Sequence, residues 1–260
     1  MTSLIKQRLL VIGGTGFVGK KFVKCAVSQN YEVVSLSRRG TPTDFNSTDS
    51  VQWVKGDAVD PETLENVVHQ YGPFDACIHA VGLLFDSQSS GIKNLNVYAS
   101  GSRSQASEDA TYDKITRQTS FNAINSICNQ QIAKSATIQK RIPFIFISAA
   151  EAGWTFEAPV KWLQRYLIAK RAVESKLKES ETVLRPVIFR PSIVWSRAVP
   201  GSALLAAPFY IGSALRIPIV DRPVEVDSLV NAMLSALRSE EVEGVQRFPE
   251  IDNLSTSTAK

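Results

Sequence analysis

The stretch Arg8-Leu9-Leu10-Val11-Ile12-Gly13-Gly14-Thr15-Gly16-Phe17-Val18-Gly19 decides how the rest of the chain is read. Arg8 to Ile12 ends in four consecutive aliphatic residues and reads as a buried strand. Gly13, Gly16 and Gly19 follow three apart. From Phe17 to Ser28 apolar residues recur at helical spacing. In a strand–turn–helix unit the first glycine permits a tight turn off the strand. The second lets a pyrophosphate approach the backbone, and the third lets helix and strand pack closely. The helix start then offers unpaired N–H groups and the positive end of its dipole to phosphate. Glycines alone are a weak signal; the strand before and the helix after give this one its weight.

The same rhythm continues outward. Glu32–Leu36 and Val51–Val54 read as the second and third strands, and Pro61 opens a helix reaching about Gln70. Phe74–Ala80 and Pro143–Ser148 read as the fourth and fifth strands, Val160–Glu179 as a long helix and Val183–Phe189 as the sixth strand. Strands alternating with helices predict an α/β fold, a doubly wound parallel sheet of Rossmann type with helices on both faces. Two stretches break the pattern. Ser87–Asp113, rich in Ser, Gly and Asn, reads as a long loop. Trp195–Pro223, rich in Pro, Ala and Gly, reads as part of a small C-terminal substrate-side lobe, taken as residues 195–226. Asp227–Leu237 reads as a last amphipathic helix. The expected organisation is one domain over residues 1–252, with Asn253–Lys260 as a polar, frayed tail.

At 260 residues the chain suits one large α/β domain, and 44% hydrophobic with 21% charged residues is ordinary for a globular protein. A net charge of +4 without long Lys/Arg runs gives little support to nucleic-acid binding. Cys25, Cys77 and Cys128 are far apart and odd in number, so neither a disulfide framework nor a zinc site is expected, and no metal site is assigned. No apolar run is long enough for a transmembrane span. Met1–Arg8 is too short and polar for a secretory signal; it lacks acids and carries Lys6 and Arg8, and no whole transit peptide is visible there.

The second strand selects the ligand. In NAD binders an acid near its end holds the ribose 2′-hydroxyl. Here the chain reads Ser35-Leu36-Ser37-Arg38-Arg39-Gly40. Two guanidinium groups suit a 2′-phosphate, so NADP(H) is expected in preference to NAD(H).

Five features, in order, resemble the short-chain dehydrogenase/reductase superfamily in its extended and atypical branches: Gly13 to Gly19, Gly56-Asp57, His79-Ala80-Val81-Gly82, Tyr166-Leu167-Ile168-Ala169-Lys170 and Arg190-Pro191-Ser192. The resemblance implies that Thr15, Gly16, Phe17 and Val18 meet the pyrophosphate with the glycines, that Asp57 meets the adenine, that Ala80, Val81 and Gly82 line the ribose, and that Pro191 runs beside the nicotinamide. Ala80 to Phe85, Tyr112 to Arg117, Ile147 to Ala150 and Tyr166 to Glu174 further resemble mitochondrial atypical members linked to ubiquinone biosynthesis. More distantly they resemble the NADPH-binding accessory subunit of respiratory complex I. That likeness implies a mitochondrial location, an apolar or quinone-like substrate and a mitochondrial protein complex as partner.

Tyr166 and Lys170 lie four apart and share a helix face, where the lysine charge would lower the tyrosine pKa for proton transfer. Lys170 would also hold the cofactor ribose, as in the family. Glu174 extends that face and reads alternatively as a solvated i, i+4 partner of Lys170. Ser148 is the candidate for the hydroxyl that holds a substrate carbonyl, although Ala149 and Ala150 follow where many relatives place theirs. It either faces the site or caps the strand end. His79 reads as a buried strand-end histidine beside the cofactor, and His69 as a polar helix end. The apolar residues from Trp195 to Tyr210 fit the core of the small lobe, a hydrophobic pocket or a surface in peripheral membrane contact. The site therefore predicts an NADP(H)-dependent oxidoreductase. The alternatives are a non-catalytic NADPH-binding accessory subunit and a regulatory module that reports NADPH levels.

Overall fold

β1 (Arg8–Ile12) alternates its side chains between the two faces of a central sheet, and this alternation builds two cores. In the computed structural model, which describes residues 6–42, 51–89, 95–96, 110–134, 140–215 and 220–257, Leu9 and Val11 point into one apolar cluster. Leu10 and Ile12 point into the other. Both clusters are closed by helices, and the four β1 aliphatics are essentially inaccessible to water.

The sheet has seven strands in the order β3-β2-β1-β4-β5-β6-β9, every pair parallel. Its members are β1, β2 (Glu32–Ser37), β3 (Val51–Lys55), β4 (Ala76–His79), β5 (Ile142–Ile147), β6 (Leu184–Phe189) and β9 (Gly244–Gln246). α1 (Phe17–Ser28), α6 (Val226–Arg238) and α7 (Phe248–Thr256) cover one face through Phe22, Leu229 and Ile251. α2 (Pro61–Tyr71), α3 (Thr119–Lys134) and α4 (Lys161–Glu179) cover the other through Leu64, Ile124 and Val173. This is the doubly wound Rossmann-type α/β fold expected. α2 begins where Pro61 predicts it. Asp60 caps it by accepting from the N–H groups of Glu62 at 3.1 Å and Thr63 at 3.3 Å.

Three elements were not anticipated. α3 enters through one π-helical turn, Asp113–Gln118, directly after the Ser/Gly/Asn-rich stretch. Most of Ser87–Asp113 lies outside the described residues, and Asp113 already belongs to that turn. β9 pairs with β6, and α7 follows it, started by Pro249 and by Glu250 accepting from the Arg247 N–H at 3.0 Å. Helix α7 thus takes in Asn253–Thr256, which the sequence reading assigned to a frayed tail, and Ser235 Oγ donates to the Leu254 carbonyl at 2.9 Å to hold it. Residues 258–260 lie outside the described residues.

The small lobe consists of β7 (Val194–Trp195), α5 (Pro200–Ala214) and β8 (Val224–Glu225), with β7 and β8 forming a separate parallel pair. It follows the C-terminal end of β6, on the side where β1, β4 and β5 also end.

Candidate functional site

A cleft of about 680 Å³ opens at the C-terminal ends of β1, β2, β4 and β5. β1 pairs with β2 on one side and with β4 on the other, so the chain reverses its winding there; ligands of open α/β sheets bind at such a switch point.

The glycine turn forms the floor. Gly13 adopts a left-handed φ of +88°, and a Cβ there would stand 2.8 Å from Val81 Cγ2. A Cβ on Gly19 would stand 2.2 Å from the Gly13 carbonyl oxygen, so α1 rests directly on the turn. Gly13, Thr15, Gly16, Phe17 and Val18 all line the cleft; Gly19 sits behind them as the packing glycine. Gly16 starts α1 with no side-chain cap, and the first turn carries no acid. These N–H groups therefore face the cleft with their dipole uncompensated. A floor with no room for a side chain, at an uncapped helix start, fits a dinucleotide pyrophosphate.

Arg38 and Arg39 leave the end of β2 exposed and line the same cleft, together with Asp57, Ala80, Val81 and Gly82. Asp57 Oδ1 accepts from the Val59 N–H at 3.0 Å, which fixes the loop after β3. Pro191 lines the wall after β6, where Arg190 N donates to the Gln246 carbonyl at 2.9 Å and ties that wall to β9.

α4 brings Tyr166 and Lys170 to the cleft. Their electrostatics differ from the expectation. Burial raises the Tyr166 phenol above its usual value, and the charge of Glu151 and the neighbouring Tyr112 add to this. Lys170 is buried, which lowers it to about 8 against the opposing pull of Glu174. Its Nζ donates to the Ile147 carbonyl at 2.6 Å and lies 4.8 Å from the Phe146 ring centroid and 5.5 Å from that of Tyr166. Desolvation thus outweighs the lysine's expected acidification of the phenol. The Tyr112 ring meets Tyr166 edge-on at 5.3 Å, and its hydroxyl donates to the Leu84 carbonyl at 2.9 Å.

Ser148 lines the cleft but its hydroxyl donates to Glu174 Oε1 at 2.5 Å. Glu174 is in turn gripped by the Arg190 guanidinium through both carboxylate oxygens, with Nε 2.9 Å from Oε1. Glu174 is therefore a mostly buried anchor between β6 and β5 rather than a solvated partner of Lys170. His79 is fully buried against Thr119 Oγ1 at 2.9 Å, and burial with the Lys170 charge lowers it to about 3, so it is neutral at ordinary pH.

Sequence reasoning missed the π-turn and α3 residues and Glu151. Ile115 and Thr119 reach the cleft from the unanticipated π-turn and α3, whereas Ser202 and Leu205 reach it from α5, inside the Trp195–Tyr210 stretch for which a hydrophobic pocket is one of the sequence readings. Glu151, on the short 3₁₀ turn Ala150–Gly153, does not line the cleft but bears on it through its charge on Tyr166; burial raises its own carboxyl to about 7, aided by the charge of Asp221. Only the Ser148-Ala149-Ala150-Glu151 run hinted that an acid follows the strand end. Among the described residues no cluster of His, Cys, Asp and Glu could hold a metal ion.

Residues 9–106 match the model of the NAD dependent epimerase/dehydratase family. The chain is similar to MIOREX complex component 2 of Saccharomyces cerevisiae, 25% identical over 210 residues, covering 72% of this chain and 73% of that protein. Among solved structures it resembles the UDP-glucose 4-epimerase of Thermus thermophilus in complex with NAD, with TM-score 0.60, 18% identity and 98% of this chain against 84% of that one. It also resembles a short-chain dehydrogenase from Streptomyces avermitilis, with TM-score 0.62, 14% identity and 98% against 93%. Fold and cleft are thus those of a Rossmann-type α/β chain, and its residues 9–106 match the NAD dependent epimerase/dehydratase family.

Proposed function

We propose that this protein holds NADP(H) in the cleft and acts as an atypical short-chain dehydrogenase/reductase on an apolar carbonyl or quinone-like substrate in mitochondrial ubiquinone metabolism. The observation that carries this reading is that Arg38 and Arg39 share one cleft with Tyr166 and Lys170. A dinucleotide 2′-phosphate would be clamped by the two guanidinium groups. When bound, a nicotinamide supplies or takes up a hydride. The chain's own part is protonic. Tyr166, its phenol raised by burial, keeps its proton on Oη at neutral pH and donates it to a carbonyl oxygen as that group is reduced to an alcohol. Lys170 orients the ribose and keeps a positive charge beside the phenol. Leu83, Leu84, Ile115 and Leu205 line the cleft with apolar surface that suits a hydrophobic substrate and excludes water. The mitochondrial and ubiquinone assignments draw on the resemblance of Ala80 to Phe85 and Tyr166 to Glu174. The similarity to a protein named as a complex component supports a place in an assembly.

A second reading is favoured by one contact. The Ser148 proton is directed to Glu174, and Ala149 and Ala150 follow without a hydroxyl. On this reading the chain is a non-catalytic NADPH-binding accessory subunit of a respiratory or quinone-biosynthesis complex. Tyr166→Phe separates the two. Enzyme action predicts loss of function in cells with NADPH binding retained; full function of that variant defeats the enzyme reading and favours the accessory one.

A further inference from the structure

α5 has an unusual composition for a surface helix. From Val199 to Leu215 the sequence contains no charged residue. A helix that is apolar all round is normally buried. Here one side is: Ser202 and Ala206 are buried, and Ser202 and Leu205 wall the cleft. The other side faces out. Leu204 is 76% exposed, Ile211 62% and Leu215, at the C-terminal cap, 70%. Positions seven and eleven residues apart fall on one stripe of an α-helix, and Pro208, also exposed, lies between them. The stripe is about 16 Å long at 1.5 Å per residue. It is far too short to span a bilayer, and among the described residues no helix is long and apolar enough to do so.

Its flanks are basic. Between Trp195 and Pro223 the sequence carries Arg197, Arg216 and Arg222 against the single acid Asp221. Asp221 is already paired with Arg247 at 3.0 Å. The Arg197 side chain is 81% exposed even though it reaches Glu225 at 3.2 Å. A stripe of Leu, Pro and Ile offers a partner protein no hydrogen-bonding side chain, whereas protein interfaces ring their apolar centre with polar contacts. An apolar helix face with the exposed Arg197 beside its start and a net basic flanking sequence has what an anionic lipid surface requires: burial of hydrocarbon to acyl-chain depth and attraction of flanking cations to headgroups.

We propose that the outward face of α5 docks the protein on an anionic phospholipid bilayer, with the helix lying in the interface. Because the opposite side of the same helix walls the cleft, docking sets the cleft wall against the lipid phase. This holds whatever reaction the cleft performs, so it stands or falls separately from the proposed activity.

The test is co-sedimentation of the full chain with phosphatidylcholine vesicles, with and without phosphatidylserine. Wild-type protein should sediment with the vesicles, more strongly when phosphatidylserine is present and less strongly as salt is raised. Leu204→Glu combined with Ile211→Glu should weaken partitioning at least about tenfold. Arg197→Glu should weaken it about fivefold on the phosphatidylserine vesicles alone. Ile132→Glu, at an equally exposed isoleucine on α3, should bind like wild type. Circular dichroism and thermal melting establish that each variant is folded. Wild-type protein remaining in the supernatant with both vesicle types overturns the proposal, as does undiminished binding of the Leu204/Ile211 variant. A concentration-dependent dimer in sedimentation equilibrium that the same pair of substitutions abolishes also overturns it, by assigning the face to a second copy of the chain.

Discussion

The Ser148 hydroxyl at the end of β5 donates to the Glu174 carboxylate on α4 at 2.5 Å, and Arg190 donates to both oxygens of that carboxylate. Three residues far apart in sequence thereby lock α4, β5 and the start of the cleft wall together. The site's serine is a structural donor in this arrangement before it is anything else. Removing Glu174 leaves a mostly buried arginine unpaired, and breaking such a pair costs about 3–5 kcal/mol. Glu174→Ala should lose that much in urea denaturation, and Ser148→Ala about 1–2 kcal/mol. A double-mutant cycle should give a Ser148–Glu174 coupling above about 0.5 kcal/mol; additivity of the two losses would dissolve the link.

Arg38→Ala and Arg39→Ala should each weaken NADPH binding about tenfold, and together about a hundredfold, by removing charge-assisted hydrogen bonds to a 2′-phosphate. NADH affinity should be almost unchanged. Fluorescence titration of the reduced cofactors reads both, and wild-type protein that binds NADH at least as tightly as NADPH refutes the preference.

Gly19→Ala and Gly244→Ala separate crowding from backbone strain. A Cβ at Gly19 collides with the Gly13 carbonyl oxygen at 2.2 Å, whereas one at Gly244 meets nothing within 4 Å, although its φ is +72°. Gly244→Ala should cost about 1–2 kcal/mol from conformation alone. Gly19→Ala should cost about 2–4 kcal/mol and also abolish dinucleotide binding, because α1 must leave the turn. Thermal melts and cofactor titration of both variants check this.

Glu151 should make stability fall with rising pH. Burial lifts its carboxyl from 4.5 to about 7, so between those values the native state binds more protons than the unfolded chain. Its favourable contribution is complete below the lower value and is lost as pH rises through the upper one. Glu151→Gln should therefore be more stable than wild type at about pH 8, by about 1–3 kcal/mol, and equal to it near about pH 4. Paired urea titrations across that range measure the difference; a pH-independent gap between the two proteins would place its cause elsewhere.

The sheet and the cofactor end of the cleft were legible because each rests on local rules. Leu9–Ile12 show a strand, Gly13 to Gly19 show a turn that side chains cannot enter, and Arg38-Arg39 stand where the second strand must end. α3 was not legible. Its segment TSFNAINSICNQQIAK mixes polar and β-branched residues, carries only a weak apolar stripe and follows a stretch with loop composition. β9 is three residues long, below what an alternation pattern can reveal, and only its pairing with β6 defines it. The Glu174–Arg190 pair was hidden for another reason. Helical spacing puts Lys170 next to Glu174 in sequence, and only the tertiary fold brings Arg190 closer. Burial likewise reversed the expected shift of Tyr166, since spacing reports neighbours and says nothing of desolvation.

β9 and α7 carry a genetic consequence. A premature stop codon just after α6 would spare every glycine, arginine, tyrosine and lysine that lines the cleft. It would nevertheless strip the last strand from β6, leaving open the backbone groups of Val187–Phe189 that now pair with Gly244–Gln246. Such an edge recruits other chains. The truncated product would keep the whole cofactor signature and still behave as a loss-of-function allele through aggregation and turnover, with the lesion at the opposite end of the sequence from the motif that defines the fold.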